Sequence, residues 1–378
     1  MTDNRLKRLR ELGQSVWYDY IRRDLITSGR LAKLIREDAL AGMTSNPTIF
    51  QKAIAETALY DQDIARLGGE GKSPADIFEG LEVADIQSAA DAFRPVFDAS
   101  GGNDGFVSIE VGPHLALDTG GSIDEARRLW KECGRDNVMV KIPATAAGVP
   151  AIRKCLAEGI NINITLLFSV ERYREVMEAY LGAMEDRVAA GAPVARIRSV
   201  ASFFVSRVDT NADKKLDAKA KEAKSDGEKQ KAKWLRGRLG IANARIAYQA
   251  FLEVFGTPRF EALRKKGVAV QKPLWASTST KDPAYPDLYY VEALIAKDSV
   301  DTIPPETFQA YRDHGDPKIR IHDDLPAAHA CFEALAGLGI DTARIALELE
   351  DEGVKKFSDS YDSLLKTIAE KERAMRVA

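Results

Sequence analysis

The sequence predicts an α/β fold in which eight strands and their helices close into a (β/α)8 TIM barrel, with extra helices in two long connections and a helical C-terminal region. Three observations carry this. Short β-like runs recur eight times along the chain, the stretches between them place apolar residues three and four apart, and no linker calls for a second domain. Strands that alternate with helices pair in parallel, because each helix returns the chain to the starting edge before the next strand begins. The 378 residues, 45% of them hydrophobic, are enough for a large core, and 1–378 reads as one domain.

The N-terminal stretch MTDNRLKRLRELG alternates charge with leucine at helical spacing and leads into the first run, SVWYDYI (15–21). AGMTSN (41–46) is the second, and a connection over 47–105, long enough for several helices, precedes the third, FVSIEV (106–111). The helix-like SIDEARRLWKECG separates it from NVMVKIPA (137–144), and GVPAIRKCLAEG separates that from NINITLLF (161–168). SVERYREVMEAYLGAMEDRVAAG leads to the sixth run, RIRSVASFF (196–204). The second long connection, 205–272, contains NADKKLDAKAKEAKSDGEKQKAKWLRGRLG, whose interspersed acids make it a solvated helical hairpin rather than a nucleic-acid patch, within a charged insertion at about 211–250. PLWAS (273–277) and SVDTIPP (299–305) complete the set, and from about 306 the chain is mostly helical, most clearly in DDLPAAHACFEALAGLG and SDSYDSLLKTIAEKERAM.

Composition narrows the function. Lys plus Arg number 54 against 57 Asp plus Glu, and a net charge of -3 gives no global attraction for nucleic acid or acidic membranes. The N-terminus lacks the apolar core of a signal peptide and no apolar run is long enough to span a membrane. Cys133, Cys155 and Cys331 are far apart in sequence and form no CxxC pair, which fits a reducing compartment, so a cytoplasmic protein is expected. His114, His314, His322 and His329 lack metal-ligand spacing, so no metal is expected. GGEGKS (68–73) has Arg66 where a P-loop needs its first glycine and no strand before it, and GxGxxG does not occur.

Strand side chains alternate between faces, and GININIT displays the rule: Ile160, Ile162 and Ile164 face one side, Asn161, Asn163 and Thr165 the other. The same parity puts Ser108 with Glu110, Trp17 with Asp19, Ser202 with Phe204, and Lys141 opposite Val138, Val140 and Ile142. Asp19, Asn46, Glu110, Lys141, Thr165, Ser202 and Ser277 therefore fall near the C-terminal ends of different strands, which in a barrel converge on one mouth. A lysine held in a dry pocket beside carboxylates is a candidate amine nucleophile for carbonyl chemistry. An ion pair between Lys141 and Glu110 or Asp19 that closes a barrel layer explains the same residues. On residue type alone Asp19 reads more readily as a strand-end cap or surface charge, and Asn46 before Pro47 as a turn.

GMTSNPTIF (42–50), VSIEV (107–111), NVMVKIPAT (137–145), GININITLLFS (159–169) and ASFFVSRVD (201–209) resemble signatures of the transaldolase family, in family order. The resemblance runs from about residue 15 through LWASTSTKDPAYPDLYYVEAL to GVKKFSDSYDSLL, and is nearest the longer bacterial branch. It implies a class I aldolase barrel that moves a dihydroxyacetone unit between sugar phosphates without a cofactor. By that likeness Lys141 is the Schiff-base lysine, Asp19 the acid/base at the C4 hydroxyl, and Glu110 works through a water held with Thr165. Asn46 and Asn163 match residues that bind the dihydroxyacetone hydroxyls, Ser202 another polar pocket residue, and Arg207 a phosphate-binding arginine. Phe204 stands where fructose 6-phosphate aldolases tend to carry tyrosine, and by that likeness the phenylalanine favours transfer over cleavage. Shorter relatives have a second phosphate-binding arginine after the seventh strand; here WASTSTKDP offers Ser277, Ser279 and Lys281, and Lys281 also reads as a plain loop lysine.

The expected partners are thus sugar phosphates, with no nucleic acid and no membrane, in a monomer or homodimer. Two other functions fit the same residues: a Schiff-base aldolase or decarboxylase of different substrate range, and a barrel that binds a sugar phosphate without chemistry.

Overall fold

The computed structural model describes residues 4–377. Eight strands, β1 Gln14–Asp19, β2 Gly42–Thr44, β3 Phe106–Glu110, β4 Val138–Pro143, β5 Ile162–Leu167, β6 Ser199–Phe204, β7 Lys272–Ala276 and β8 Ser299–Ile303, form a closed barrel in sequence order. Every pairing is parallel, and β8 closes on β1 through Gln14↔Ser299 to Tyr18↔Ile303. Each strand overlaps one of the eight runs read from the sequence. The 47–105 connection holds three helices, Pro47–Ala55, Asp61–Gly69 and Pro74–Ala99; the 205–272 connection holds four, Ser206–Glu222, Asp226–Leu235, Leu239–Phe255 and Pro258–Arg264. GGEGKS forms the end of a helix and a turn, with Ser73 capping the next helix through a reciprocal bond with Asp76.

The alternation of side chains sorts the barrel into two apolar sets. Val138, Val140, Ile142, Ile162 and Ile164 pack outward with the surrounding helices, while Trp17, Phe106, Met139, Val200, Leu274 and Val300 fill the lower interior. Trp17 can cross the axis because β2 begins with glycine: a Cβ on Gly42 would lie 2.5 Å from the indole ring. Above this apolar layer the inward positions turn polar. Register places Glu110 beside Lys141, Lys141 beside Asn163, and Asp19 beside Thr44.

Two local features shape the mouth. β2 is only three residues long because Asn46 ends it as the cap of the helix Pro47–Ala55: its side chain accepts from Ile49 N at 3.1 Å, and Pro47 takes the first helical turn, where no N–H is needed. β5 is interrupted by a bulge after Ile164, with Leu166 at φ 56, a left-handed conformation that costs a leucine about 1–2 kcal/mol. That turns Leu166 toward the C-terminal helix Thr342–Val377, whose Gly353 leaves room for it; a Cβ there would approach Leu166 Cδ2 to 2.8 Å. The sequence showed a helix over 358–375, and the structure extends it back to Thr342, 36 residues in all, so that it crosses the barrel mouth.

Among the described residues no helix is long and apolar enough to cross a membrane.

Candidate active site

At the C-terminal ends of the strands lies a cavity of about 190 Å³. Of the eleven residues expected at the site, nine line it: Asp19, Asn46, Lys141, Thr165, Ser202, Phe204, Arg207, Ser277 and Lys281. Glu110 and Asn163 stand one layer behind, each touching a residue that does.

Lys141 is the centre of the arrangement. Its side chain enters from β4, is 5% exposed, and its Nζ donates to Glu110 Oε2 at 2.9 Å and to the Ser45 carbonyl at 2.8 Å. The Ser45 carbonyl is aimed there because the Ser45 hydroxyl donates to Ser108 O at 2.9 Å, pinning the end of β2 to β3. Glu110, 8% exposed, accepts the lysine as its ion-pair partner. The two readings of Lys141 therefore coincide: it closes a barrel layer as an ion pair and it faces the cavity. Burial raises the Glu110 carboxyl above the ordinary carboxylate range, with Lys141 pulling in the opposite direction.

Asp19 ends β1 inside the cavity, not on the surface. Thr44 donates to its Oδ1 at 2.9 Å, and the Thr302 hydroxyl, 2.6 Å from that of Thr44, supplies the next bond in the chain. Burial raises the Asp19 carboxyl too; Lys141, the Thr44 bond, Arg207 and Lys281 hold it down in that order. Asn46 Oδ1 already accepts the helix-cap bond, which fixes the side chain and leaves its amide N–H2 and one oxygen lone pair for a ligand. Asn163 donates to Ser108 Oγ at 2.9 Å and accepts from Ser202 Oγ at 2.7 Å, a chain that fixes both amide ends beneath the cavity floor. Thr165 Oγ1 is buried and without a hydrogen-bond partner among the described residues, an orphan hydroxyl that a small polar ligand or water would satisfy.

At the outer end the charge is positive. Arg207, at the start of the helix Ser206–Glu222, holds its guanidinium 5.0 Å over the Phe204 ring and 5.9 Å over that of Phe357. Lys281 donates to Ser279 Oγ at 2.8 Å, and the preceding loop is shaped by Ser277 at φ 56, its hydroxyl 2.9 Å from that of Ser206. A non-glycine residue at positive φ stores strain, and such strain gathers at functional loops.

Residues 16–368 match the family model described as transaldolase/fructose-6-phosphate aldolase. The chain belongs to that family. Among its relatives, "Transaldolase" of Saccharopolyspora erythraea is 47% identical over 370 residues, covering 98% of each chain. "Transaldolase 2" of a Nostoc species is 45% identical over 371 residues, covering 97% of each, and "Transaldolase" of Thiobacillus denitrificans is 44% identical over 365 residues, covering 97% of this chain and 99% of its own.

Membership of the transaldolase family directs attention to the residues that the sequence did not single out. Thr44 and Thr302 were within reach of the strand parity, since both are polar residues near the end of an inward-facing strand row. Lys356 and Phe357 were not, because they come from a helix with no strand signal and reach the cavity only through the path of the chain over the mouth. Glu82, on the helix Pro74–Ala99, is buried behind the site; burial and then Glu110 raise its carboxyl well above the ordinary range. Among the described residues no group of three or more His, Cys, Asp or Glu is placed to hold a metal ion.

Proposed function

We propose that the protein is a transaldolase that carries a dihydroxyacetone unit from sedoheptulose 7-phosphate to glyceraldehyde 3-phosphate, giving erythrose 4-phosphate and fructose 6-phosphate. The observation that carries this is the position of Lys141: a buried amine, bonded to a buried carboxylate, at the floor of a cavity that also holds Asp19 and a cationic outer end.

An amine must be neutral to attack a carbonyl, and Glu110, 2.9 Å from Nζ, is the adjacent acceptor for the proton. The neutral Nζ adds to C2 of the ketose, and the carbinolamine loses water with a proton returned by way of Glu110 and a solvent molecule at the unpartnered Thr165 hydroxyl. Asp19 as carboxylate takes the proton of the C4 hydroxyl. The C3–C4 bond then breaks, its electron pair moves onto the iminium, and an aldose phosphate leaves while a three-carbon enamine stays on Lys141. An incoming aldehyde reverses the step: the enamine carbon attacks it, the new alkoxide takes its proton back from Asp19, and hydrolysis frees the amine. The raised Asp19 carboxyl makes it a stronger base than an exposed aspartate, which suits proton abstraction from a hydroxyl. Burial of the centre and the apolar wall of Phe204 shield the enamine from proton donors between the half-reactions.

Arg207 and Lys281 would hold the phosphate, the first through its fork of N–H donors and the second as a compact charge. Three free, buried cysteines support a reducing, cytoplasmic setting. The acceptor dependence of turnover tests the reaction class. Fructose 6-phosphate consumption is expected to need erythrose 4-phosphate; steady release of free dihydroxyacetone without any aldehyde would instead make the protein a cleaving aldolase.

A further inference from the structure

The C-terminal helix Thr342–Val377 carries a cation into the cavity mouth that neither the strand pattern nor the family signatures assign. Gly353, Lys356 and Phe357 are three and four residues apart and so share one helix face. Gly353 is buried against Leu166 at the β5 bulge, and Phe357 is buried beside Arg207, so this face is seated on the barrel. Lys356, between those two anchors but itself exposed at the rim, lines the cavity together with Arg207, Lys281, Ser277 and Ser279.

Arg207, Lys281 and Lys356 form no ion pair with any described residue, and Arg207 makes no hydrogen bond among them. The carboxylates whose charges act on Arg207, Asp19, Glu110 and Glu352, are outside ion-pair distance. Asp19 and Glu306 also line the cavity, but neither is within ion-pair distance of these three cations, which repel each other. Burial, and then Arg207, Lys281 and Lys52, accordingly lower the Lys356 ammonium. A compact dianion with several acceptor oxygens would relieve that repulsion, and the Phe204 and Phe357 rings hold the Arg207 guanidinium in place for it.

We propose that Lys356 contacts the phosphate group of the bound sugar phosphate and closes, with Arg207 and Lys281, the anion site from the C-terminal helix. This rests on the reading of the cavity as a sugar-phosphate site, and the test separates the two. Affinity for inorganic phosphate, measured by calorimetry, is expected to fall about tenfold or more in Lys356→Met, the loss of one charge-assisted contact, and Lys356→Arg is expected to recover most of it. Equal affinity in the wild type and Lys356→Met, or no phosphate binding by either, overturns the proposal. That readout does not depend on turnover, so a failure of the transaldolase assignment is seen separately, as sugar phosphates left unconverted by the wild type. Where turnover is present, the ratio of kcat/KM for glyceraldehyde 3-phosphate to that for unphosphorylated glyceraldehyde is expected to fall by the same factor in Lys356→Met. An unchanged ratio would show that the phosphate bound there is not the substrate's.

Discussion

Lys141 Nζ and Glu110 Oε2 lie 2.9 Å apart on neighbouring strands, both nearly closed off from solvent. A buried pair of this kind is costly to break, because the partner left behind keeps an uncompensated charge. The same contact gives the amine a route for losing its proton without water.

Glu110→Gln keeps the shape and removes the acceptor. We expect kcat to fall about 10²–10⁴-fold, with the loss in Schiff-base formation rather than in carbon-carbon cleavage. Rapid-quench trapping of the lysine adduct measures that step directly. An adduct that forms at the wild-type rate would remove Glu110 from the proton path.

Asp19→Asn is expected to let the adduct form and accumulate while cleavage slows about 10²–10⁴-fold. The wild-type acid limb of the cleavage rate should fall above the ordinary aspartate range, because burial raises this carboxyl and only the carboxylate accepts the C4 proton. A pH profile of single-turnover cleavage checks both points. Full turnover in Asp19→Asn would assign the base elsewhere.

Asp301, on the outer face of β8, has one oxygen bonded to Thr278 at 2.9 Å and the other without a partner among the described residues, and burial pushes its carboxyl up to about 7. The folded protein thus holds a proton that the unfolded chain releases near the ordinary aspartate value of 3.8, so this group's contribution to stability is full below that value and is lost as pH rises through about 7. Asp301→Asn should raise the melting temperature most at about pH 8, with an upper bound of about 4 kcal/mol, and the gain should shrink toward about pH 4. Melts across that range would contradict this if the gain were the same at every pH or reversed in alkali.

The fold was largely legible because a barrel repeats one unit eight times, so the switch between two-residue and helical periods marks every strand. The inner polar row of the site followed from the same parity: GININIT alone shows which face Thr165 and Asn163 share. What strand parity leaves out is contact across long sequence separation. Lys356 reaches the mouth because Gly353 fits under Leu166, and the β5 bulge that turns Leu166 is a departure from the alternation on which the reading of the strands relied. The depth of Asn163 was also hidden, since parity gives a face and not the height at which neighbouring side chains, here Ser108 and Ser202, close over it.

The most direct test of the Lys141 assignment is borohydride reduction in the presence of fructose 6-phosphate with no acceptor aldehyde, followed by peptide mass mapping. A reduced three-carbon fragment on Lys141 is the predicted result. The same fragment on another lysine, such as Lys281 or Lys356, or no adduct at all, would contradict it.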